Sequence, residues 1–293
     1  MRLISALVLL CAMAVPAAAQ DATRRIYVSV LDKDGKAVED LTSADFAVKE
    51  GGKDRLIMRA ELAQSKMQIA IIVDDNGTGL FRVAVARFIE ALLGRAEFSI
   101  STVTGQTMKL VDYTTDADEL SDAVRKLNAR PATNDGGQLL DGITQTSVDM
   151  AKRGAGRPII VALTVGGDDV TPMAPHVALD QLRQSGAALH VVQVLNSAMR
   201  ATAPTTRPSD LLNENLALHE VLGDGPKQSG GHREEISAMA GVTTGLQKLA
   251  DQLKRQYMIE YSLDGAKPSE RINVSVKRKG VTLRAPTHVP DKT

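Results

Sequence analysis

One continuous apolar run that ends abruptly in polar residues constrains this chain more than any other feature. Residues 67–73 read Met-Gln-Ile-Ala-Ile-Ile-Val, and Asp74, Asn76 and Thr78 follow at once. Such a run is typical of a strand buried on both faces of a parallel sheet. Because ligand sites in open α/β sheets lie at the carboxyl ends of the strands, this polar end is the first candidate functional site.

Strands and helices alternate along the middle of the chain. Short apolar runs predict strands, and apolar residues at helical spacing predict the helices between them. The predicted strands are 97–103, 108–113, 158–163 and 187–195, and the predicted helices are 80–93, 116–127, 138–150, 175–184, 211–221 and 246–253. This alternation indicates an α/β fold with a doubly wound, mostly parallel sheet and helices on both faces.

The two ends of the chain instead alternate apolar and polar residues with a period of two. Strands are predicted near 26–31, 46–50 and 56–62 at one end and at 257–261, 271–276 and 281–283 at the other. Each set is too small to form a stable sheet alone, so we expect the two ends to build one small β-sandwich. We predict an N-terminal β module at 20–63, the α/β domain at 64–256 and C-terminal strands at 257–293. Residues 202–209 and 223–231 are expected to be loops.

The first 19 residues have the pattern of a secretory signal peptide. Arg2 precedes the apolar run 3–15, and three alanines at 17–19 resemble a cleavage site. No other stretch has the roughly 20 apolar residues that a membrane-spanning helix needs. We therefore expect an exported protein, periplasmic or secreted, without a membrane span.

Composition excludes several classes of function. The 35 basic and 35 acidic residues balance, and there is no tryptophan, so neither a basic surface nor stacking residues favour nucleic-acid binding. The one cysteine, Cys11, lies in the predicted signal peptide, which leaves no thiol for catalysis. The five histidines are scattered and match no catalytic signature, so each is expected to be an ordinary surface or core residue.

Two interpretations of the polar end follow from its residues. Asp74, Asn76 and Thr78 alternate, so their oxygens can converge on a hard cation such as Mg²⁺, which also keeps several waters. Alternatively, residues 75–77 form a turn and Thr78 caps the following helix.

A phosphatase is the enzymatic alternative. Haloacid dehalogenase-type phosphatases carry Asp-x-Asp-x-Thr after an apolar strand, and this chain resembles that motif, with Asp74 in the place of the nucleophile. Asn76 replaces the general acid and cannot donate its proton, which removes a step worth typically 10²-fold or more.

Several segments, in their order and spacing, resemble exported bacterial proteins with a von Willebrand factor type A-related domain. Residues 30–53 are similar to the β module that these proteins place before the domain, and residues 246–261 resemble the end of the domain and its exit strand. A pair of glycines lies where the family also has a glycine pair, just before its last sheet strand. The positions that carry the resemblance include Leu41, Thr42, Asp45, Phe46, Gly230, Gly231, Tyr257 and Tyr261.

The resemblance implies non-enzymatic recognition of a protein partner through a metal-ion-dependent adhesion site. In that site an Asp-x-Ser-x-Ser motif, a threonine and an aspartate hold Mg²⁺. Asp74 corresponds to the first aspartate, and Asn76 and Thr78 replace the two serines. No threonine matches in the loop 134–138, and Val165 occupies the acidic position, so we expect a degenerate metal site.

Two further carboxylates are candidates to replace the missing ligands. They are Asp135 in the second loop and Asp168 in the third. Residues 232–235, where the family has its last sheet strand, read His-Arg-Glu-Glu and are too polar for a buried strand, so we expect this strand to be altered.

Overall fold

The fold is that of a computed structural model, which describes residues 22–128, 137–195 and 209–290. The predicted signal peptide, the candidate ligand Asp135 and most of the predicted loop at 202–209 lie outside the described residues.

Six strands form the central sheet. They are β5 (Met67–Asp74), β6 (Ala96–Thr104), β7 (Gln106–Thr114), β8 (Pro158–Thr164), β9 (Ala188–Val194) and β10 (His232–Ile236). Their order is β10-β9-β8-β5-β6-β7, and every neighbouring pair is parallel except β6 and β7. The predicted strand at 67–73 is therefore β5, between two parallel neighbours.

Helices cover both faces of this sheet, which confirms the doubly wound α/β fold. They are α1 (Arg82–Leu92), α2 (Ala117–Arg125), α3 (Leu139–Arg153), α4 (Pro175–Ser185), α5 (Ser209–Ser229) and α6 (Ala240–Lys254). Residues of α1, α2 and α6 pack on one face, and residues of α3, α4 and α5 pack on the other. Alternate residues of β5 enter each layer: Ile71 joins the first and Ile72 the second. Both faces of β5 are thus apolar because both are covered.

The strands at the two ends of the chain pair with each other, as expected. They are β1 (Thr23–Leu31), β2 (Phe46–Glu50), β3 (Lys53–Arg55), β4 (Ile57–Leu62), β11 (Tyr257–Ser262), β12 (Ile272–Val276) and β13 (Thr282–Arg284). One sheet has the order β13-β1-β11-β4 and the other β12-β2-β3, so each mixes strands from both ends. Apolar residues from both ends, among them Val28, Phe46 and Ile259, form a third core. The domain boundaries at 63/64 and 256/257 stay a prediction.

A buried arginine joins the terminal sheets to the α/β part. Arg157 is 2% exposed and precedes β8. Its guanidinium donates to the carbonyl of Ser65 at 3.2 Å, to that of Leu253 at 2.6 Å and to Oε1 of Gln256 at 2.9 Å. It also lies 5.1 Å from the centre of the Tyr27 ring. One side chain therefore ties β1, the segment before β5 and the end of α6.

The predicted loop at 223–231 is wrong, because α5 continues to Ser229. The glycine that favoured a loop lies against the sheet, where a Cβ on Gly225 would be 2.9 Å from Cδ2 of Leu189. Tertiary packing here outweighs the weak helix propensity of Gly225 and Pro226.

The expectation of an altered last strand is also wrong, because residues 232–236 form β10, parallel to β9. The strand lies at the edge of the sheet, and only Ile236 of its five residues is buried. A strand with one solvent-exposed face tolerates polar side chains that a central strand could not.

Within the described residues no helix is long and apolar enough to cross a bilayer.

Candidate functional site

Asp74 is the last residue of β5 and is held by the neighbouring strand β8. The hydroxyl of Thr164, its register partner, donates to Oδ2 of Asp74 at 2.7 Å. The same hydroxyl accepts the amide of Gly166 at 2.9 Å, and the amide of Val165 donates to the Asp74 carbonyl at 3.2 Å. Thr164 therefore orients the carboxylate at the carboxyl edge of the sheet.

A third chain segment reaches the same carboxylate. Gly137 lies so close that a Cβ there would be 3.3 Å from Oδ1 of Asp74. Its amide donates to the Asp168 carbonyl at 2.8 Å, and its carbonyl accepts the amide of Val170 at 2.9 Å. The structure thus brings Asp74 together with Gly137 and with the loop that follows β8. Val165 is 8% exposed and packs in the apolar core, so it offers no ligand at this edge.

Residues 75–78 form a tight turn beyond β5. The buried Asp75 accepts the Gly77 amide at 3.1 Å on Oδ1, and the Thr78 hydroxyl donates to the Asp75 carbonyl at 2.8 Å. Asn76 has a φ of 54°, a left-handed conformation that Asn adopts more readily than most residues. The interpretation of Thr78 as a helix cap is wrong, since α1 begins after Phe81, which makes no side-chain capping bond.

Two further polar residues, Asp169 and Asn215, organise the loop after β8. Asp169 is 1% exposed and accepts the amide of Leu140 at 3.0 Å and that of Thr171 at 2.9 Å. Asn215 of α5 accepts the Asp169 amide at 3.0 Å and donates to Oδ1 of Asp168 at 3.1 Å. No local pattern marks Asn215, because its role depends on where α5 packs.

Burial raises the pKa of the Asp74 carboxyl to about 7, and the nearby Asp169 and Asp75 carboxylates contribute to that rise, whereas the bond from Thr164 opposes it. At neutral pH the group therefore exchanges its proton readily. A carboxylate with this behaviour is common at functional sites, although structural clusters of acids produce it too.

This pKa predicts a specific pH dependence of stability. Between about pH 4 and pH 7 native Asp74 holds a proton that the unfolded chain, with its ordinary value of 3.8, has released. The stabilisation from this group is therefore complete below about pH 4 and is lost as pH rises to about 7. Over that range the free energy of unfolding falls by at most about 1.4 kcal/mol per pH unit. We expect Asp74→Asn to remove this loss, so the variant gains stability relative to the wild type on going from pH 4 to pH 8.

Urea unfolding of both proteins at several pH values tests this. Thr78→Val is a matched control, because it changes the same edge of the sheet without removing a carboxyl. A stability difference between wild type and Asp74→Asn that stays constant with pH would contradict the assignment.

The arrangement fits Mg²⁺ poorly. Both oxygens of Asp169 accept backbone amides, and Oδ2 of Asp74 accepts from Thr164. Oδ2 of Asp75 has no partner, but Asp75 is 0% exposed, which leaves no room for the waters that Mg²⁺ retains. The described residues contain no group of three His, Cys, Asp or Glu side chains placed to hold a metal.

Comparisons with known proteins gave matches among solved structures alone. No family model matches the chain, and no curated protein matches it. The structure is similar to a von Willebrand factor type A protein from Catenulispora acidiphila, with 12% identity and a TM-score of 0.45 over 90% of this chain and 72% of that one. It is also similar to the PilB minor pilin from Streptococcus sanguinis, with 12% identity and a TM-score of 0.42 over 66% of this chain and 62% of that one.

A third similar structure is the open conformation of the pilus adhesin SpaC from Lactobacillus rhamnosus GG. Identity is 9% and the TM-score 0.46, over 90% of this chain but 49% of the adhesin. The chain therefore spans about half of that adhesin and less than two thirds of the pilin. The fold of this chain is described from its own strand order and helix placement.

Proposed function

We propose that this chain is an exported, non-enzymatic protein-binding module of the adhesion type, which contacts its partner with the carboxyl edge of its central sheet. Its N-terminal residues have the composition of an export signal. The ends of β5 and β8, together with Gly137, supply three chain segments at one edge of the sheet. This edge is where open α/β sheets place their ligands.

The observation that carries the proposal is an exposed apolar pair beside the polar turn. Leu80 is 44% and Val83 59% exposed, and they lie two and five residues after the exposed Thr78. We call Thr78, Leu80 and Val83 the rim patch. Apolar side chains bordered by polar groups are the usual composition of a protein-binding surface, whereas a catalytic site needs a reactive group in a cleft.

The rim patch does not require a metal to act. Oδ2 of Asp74 already accepts from Thr164, and the neighbouring Asp75 and Asp169 carboxylates are buried and accept backbone amides, so we propose that the adhesion-type metal site is degenerate and that recognition is metal-independent. Titration calorimetry with millimolar Mg²⁺ is expected to give no saturable heat. Saturable uptake that Asp74→Ala abolishes would instead establish a working metal site.

Binding to envelope proteins tests the role of the rim patch. An envelope protein that binds the wild type saturably is the partner to be measured. We expect the double variant Leu80→Asp and Val83→Asp to bind it at least tenfold more weakly, because the charges oppose burial of both side chains. The matched control is the double variant Leu56→Asp and Met58→Asp, which changes residues that are 61% and 58% exposed in and beside β4. Equal loss in both variants, or no loss in either, would contradict a specific role for the rim patch.

The phosphatase remains the second candidate, because Asp74 lies where that family has its nucleophile. Two features oppose it: Oδ2 of Asp74 accepts from Thr164, and the elevated pKa leaves the carboxylate partly protonated at neutral pH. Release of phosphate from an aryl phosphate in the presence of Mg²⁺, abolished by Asp74→Ala, would overturn the binding proposal.

A further inference from the structure

A second candidate site lies away from the rim patch, towards the amino ends of β9 and β10. A small cavity there is bounded by the two strands, by α6 and by β13, so it lies where the α/β part meets the terminal sheets. Its polar lining consists of His190, His232, Glu234, Lys248, Gln252 and Arg284.

The two histidines are brought together by strand register. His190 and His232 are partners on the neighbouring parallel strands β9 and β10, although they are far apart in the sequence. His190 is 3% exposed, and neither of its ring nitrogens has a hydrogen-bond partner among the described residues. A buried polar side chain without a partner is costly and uncommon, so a ligand that supplies the partner explains it.

The charges around the cavity are predominantly positive. Arg284 and Lys248 line it, and no carboxylate in the described part of the chain forms an ion pair with either. Arg284 donates to Oε1 of Gln252 at 2.9 Å, which holds its guanidinium in place. Glu234 is the one acidic residue of the lining, so two cations face a single carboxylate.

The histidines respond to this environment. Burial, followed by the charge of Arg284, lowers the pKa of His190 to about 3 and that of His232 to about 4. Both rings are therefore neutral at physiological pH, and each can donate one N–H. The cavity thus offers N–H donors and cationic groups, the combination that binds an oxyanion.

We propose that this cavity binds a small tetrahedral oxyanion of the phosphate or sulfate class, held by His190, Arg284 and Lys248. The cavity volume is about 40 Å³, whereas a cavity needs roughly 10–15 Å³ to hold one water. This space suits a small polyatomic ion. A cation is disfavoured, since Lys248 and Arg284 would repel it.

The position of the site predicts what the bound ion does. Its ligands come from β9, α6 and β13, so the ion links the central sheet to a terminal one and stabilises the folded chain by mass action. The bound anion favours the protonated forms of His190 and His232, and Glu234, Lys248 and Arg284 are the other charged groups that face the cavity.

Thermal unfolding and calorimetry with inorganic phosphate at constant ionic strength test the proposal. We expect a saturable rise of the melting temperature that chloride does not reproduce. Lys248→Gln, at an exposed position that should not impair folding, is expected to weaken phosphate binding about tenfold, since a charge-assisted contact is lost. Lys126→Gln, an exposed lysine outside the cavity, is the matched control and should bind as the wild type does.

Nuclear magnetic resonance of the wild type provides a second measurement that needs no variant. Phosphate should shift the ring nitrogen signals of His190, the most buried member of the site. Unchanged His190 signals, phosphate effects equal to those of chloride, or equal binding by Lys248→Gln would each overturn the proposal. Saturable binding of Zn²⁺ at His190 and His232 without any phosphate effect would overturn it in favour of a metal site.

Discussion

Gly231→Ala is expected to lower the free energy of unfolding by at least about 3 kcal/mol. A Cβ at this position would lie 1.9 Å from the carbonyl oxygen of Leu189, which belongs to the backbone of β9. The Gly231 amide also donates to the carbonyl of Pro226 at 2.9 Å, at the end of α5. Neither strand can move away without breaking the β9–β10 pairing that begins at His232.

Gly223→Ala is the matched control for this prediction. Gly223 lies within α5, and a Cβ there would meet nothing within 4 Å. Alanine is the better helix former, so this variant is expected to be neutral or more stable by up to about 1 kcal/mol. Urea unfolding of both variants measures the difference. If the free energies of unfolding of the two variants differ by less than about 1 kcal/mol, Gly231 does not approach β9 as closely as described.

Arg157→Met is expected to cost about 3 kcal/mol of stability. The change keeps much of the side-chain length but removes every donor, so the Leu253 carbonyl and Oε1 of Gln256 lose their partner in a buried setting and the Ser65 carbonyl in a partly buried one. Each buried acceptor left unpaired costs about 1–3 kcal/mol, and the new apolar contacts of methionine offset part of the sum.

An exposed arginine provides the comparison for Arg157. Arg87 lies on the outer side of α1 and is exposed, so Arg87→Met should change stability by no more than about 0.5 kcal/mol. Calorimetric unfolding of both variants measures the effect. A loss below 1 kcal/mol for Arg157→Met would mean that water replaces the guanidinium, and that Arg157 does not hold β1, α6 and the segment before β5 together.

The central sheet was largely predictable from sequence because burial on both faces imposes a local signal. The apolar runs at 67–73 and 158–163 correspond to β5 and β8, and Asp116 caps α2 beside the predicted helix start. Prediction failed where the context of an element differs from its local composition. Gly225 and Pro226 indicated a loop but lie in α5, and the polar residues of β10 are accepted because that strand has an exposed face.

The candidate site was predictable in part. Asp74 followed from its position after a buried strand, since strand ends are visible in the sequence. Its partner Thr164 and the supporting Asn215 are 90 and 47 residues from Asp74 and Asp168, respectively, and only folding brings them together. Asp75 and Asp169 were visible as acidic residues, but their burial was not.

The sequence by itself determined most strands and helices of the central sheet and its two layers, because each must match its side-chain pattern to one or two buried faces over a few residues, whereas the end of α5 and the edge strand β10 depended on their packing. Only the tertiary structure decided which groups meet: Thr164 with Asp74, His190 with His232, and Gly231 with Leu189. Those contacts depend on strand order and register, which the packing of the whole chain selects and no short stretch encodes.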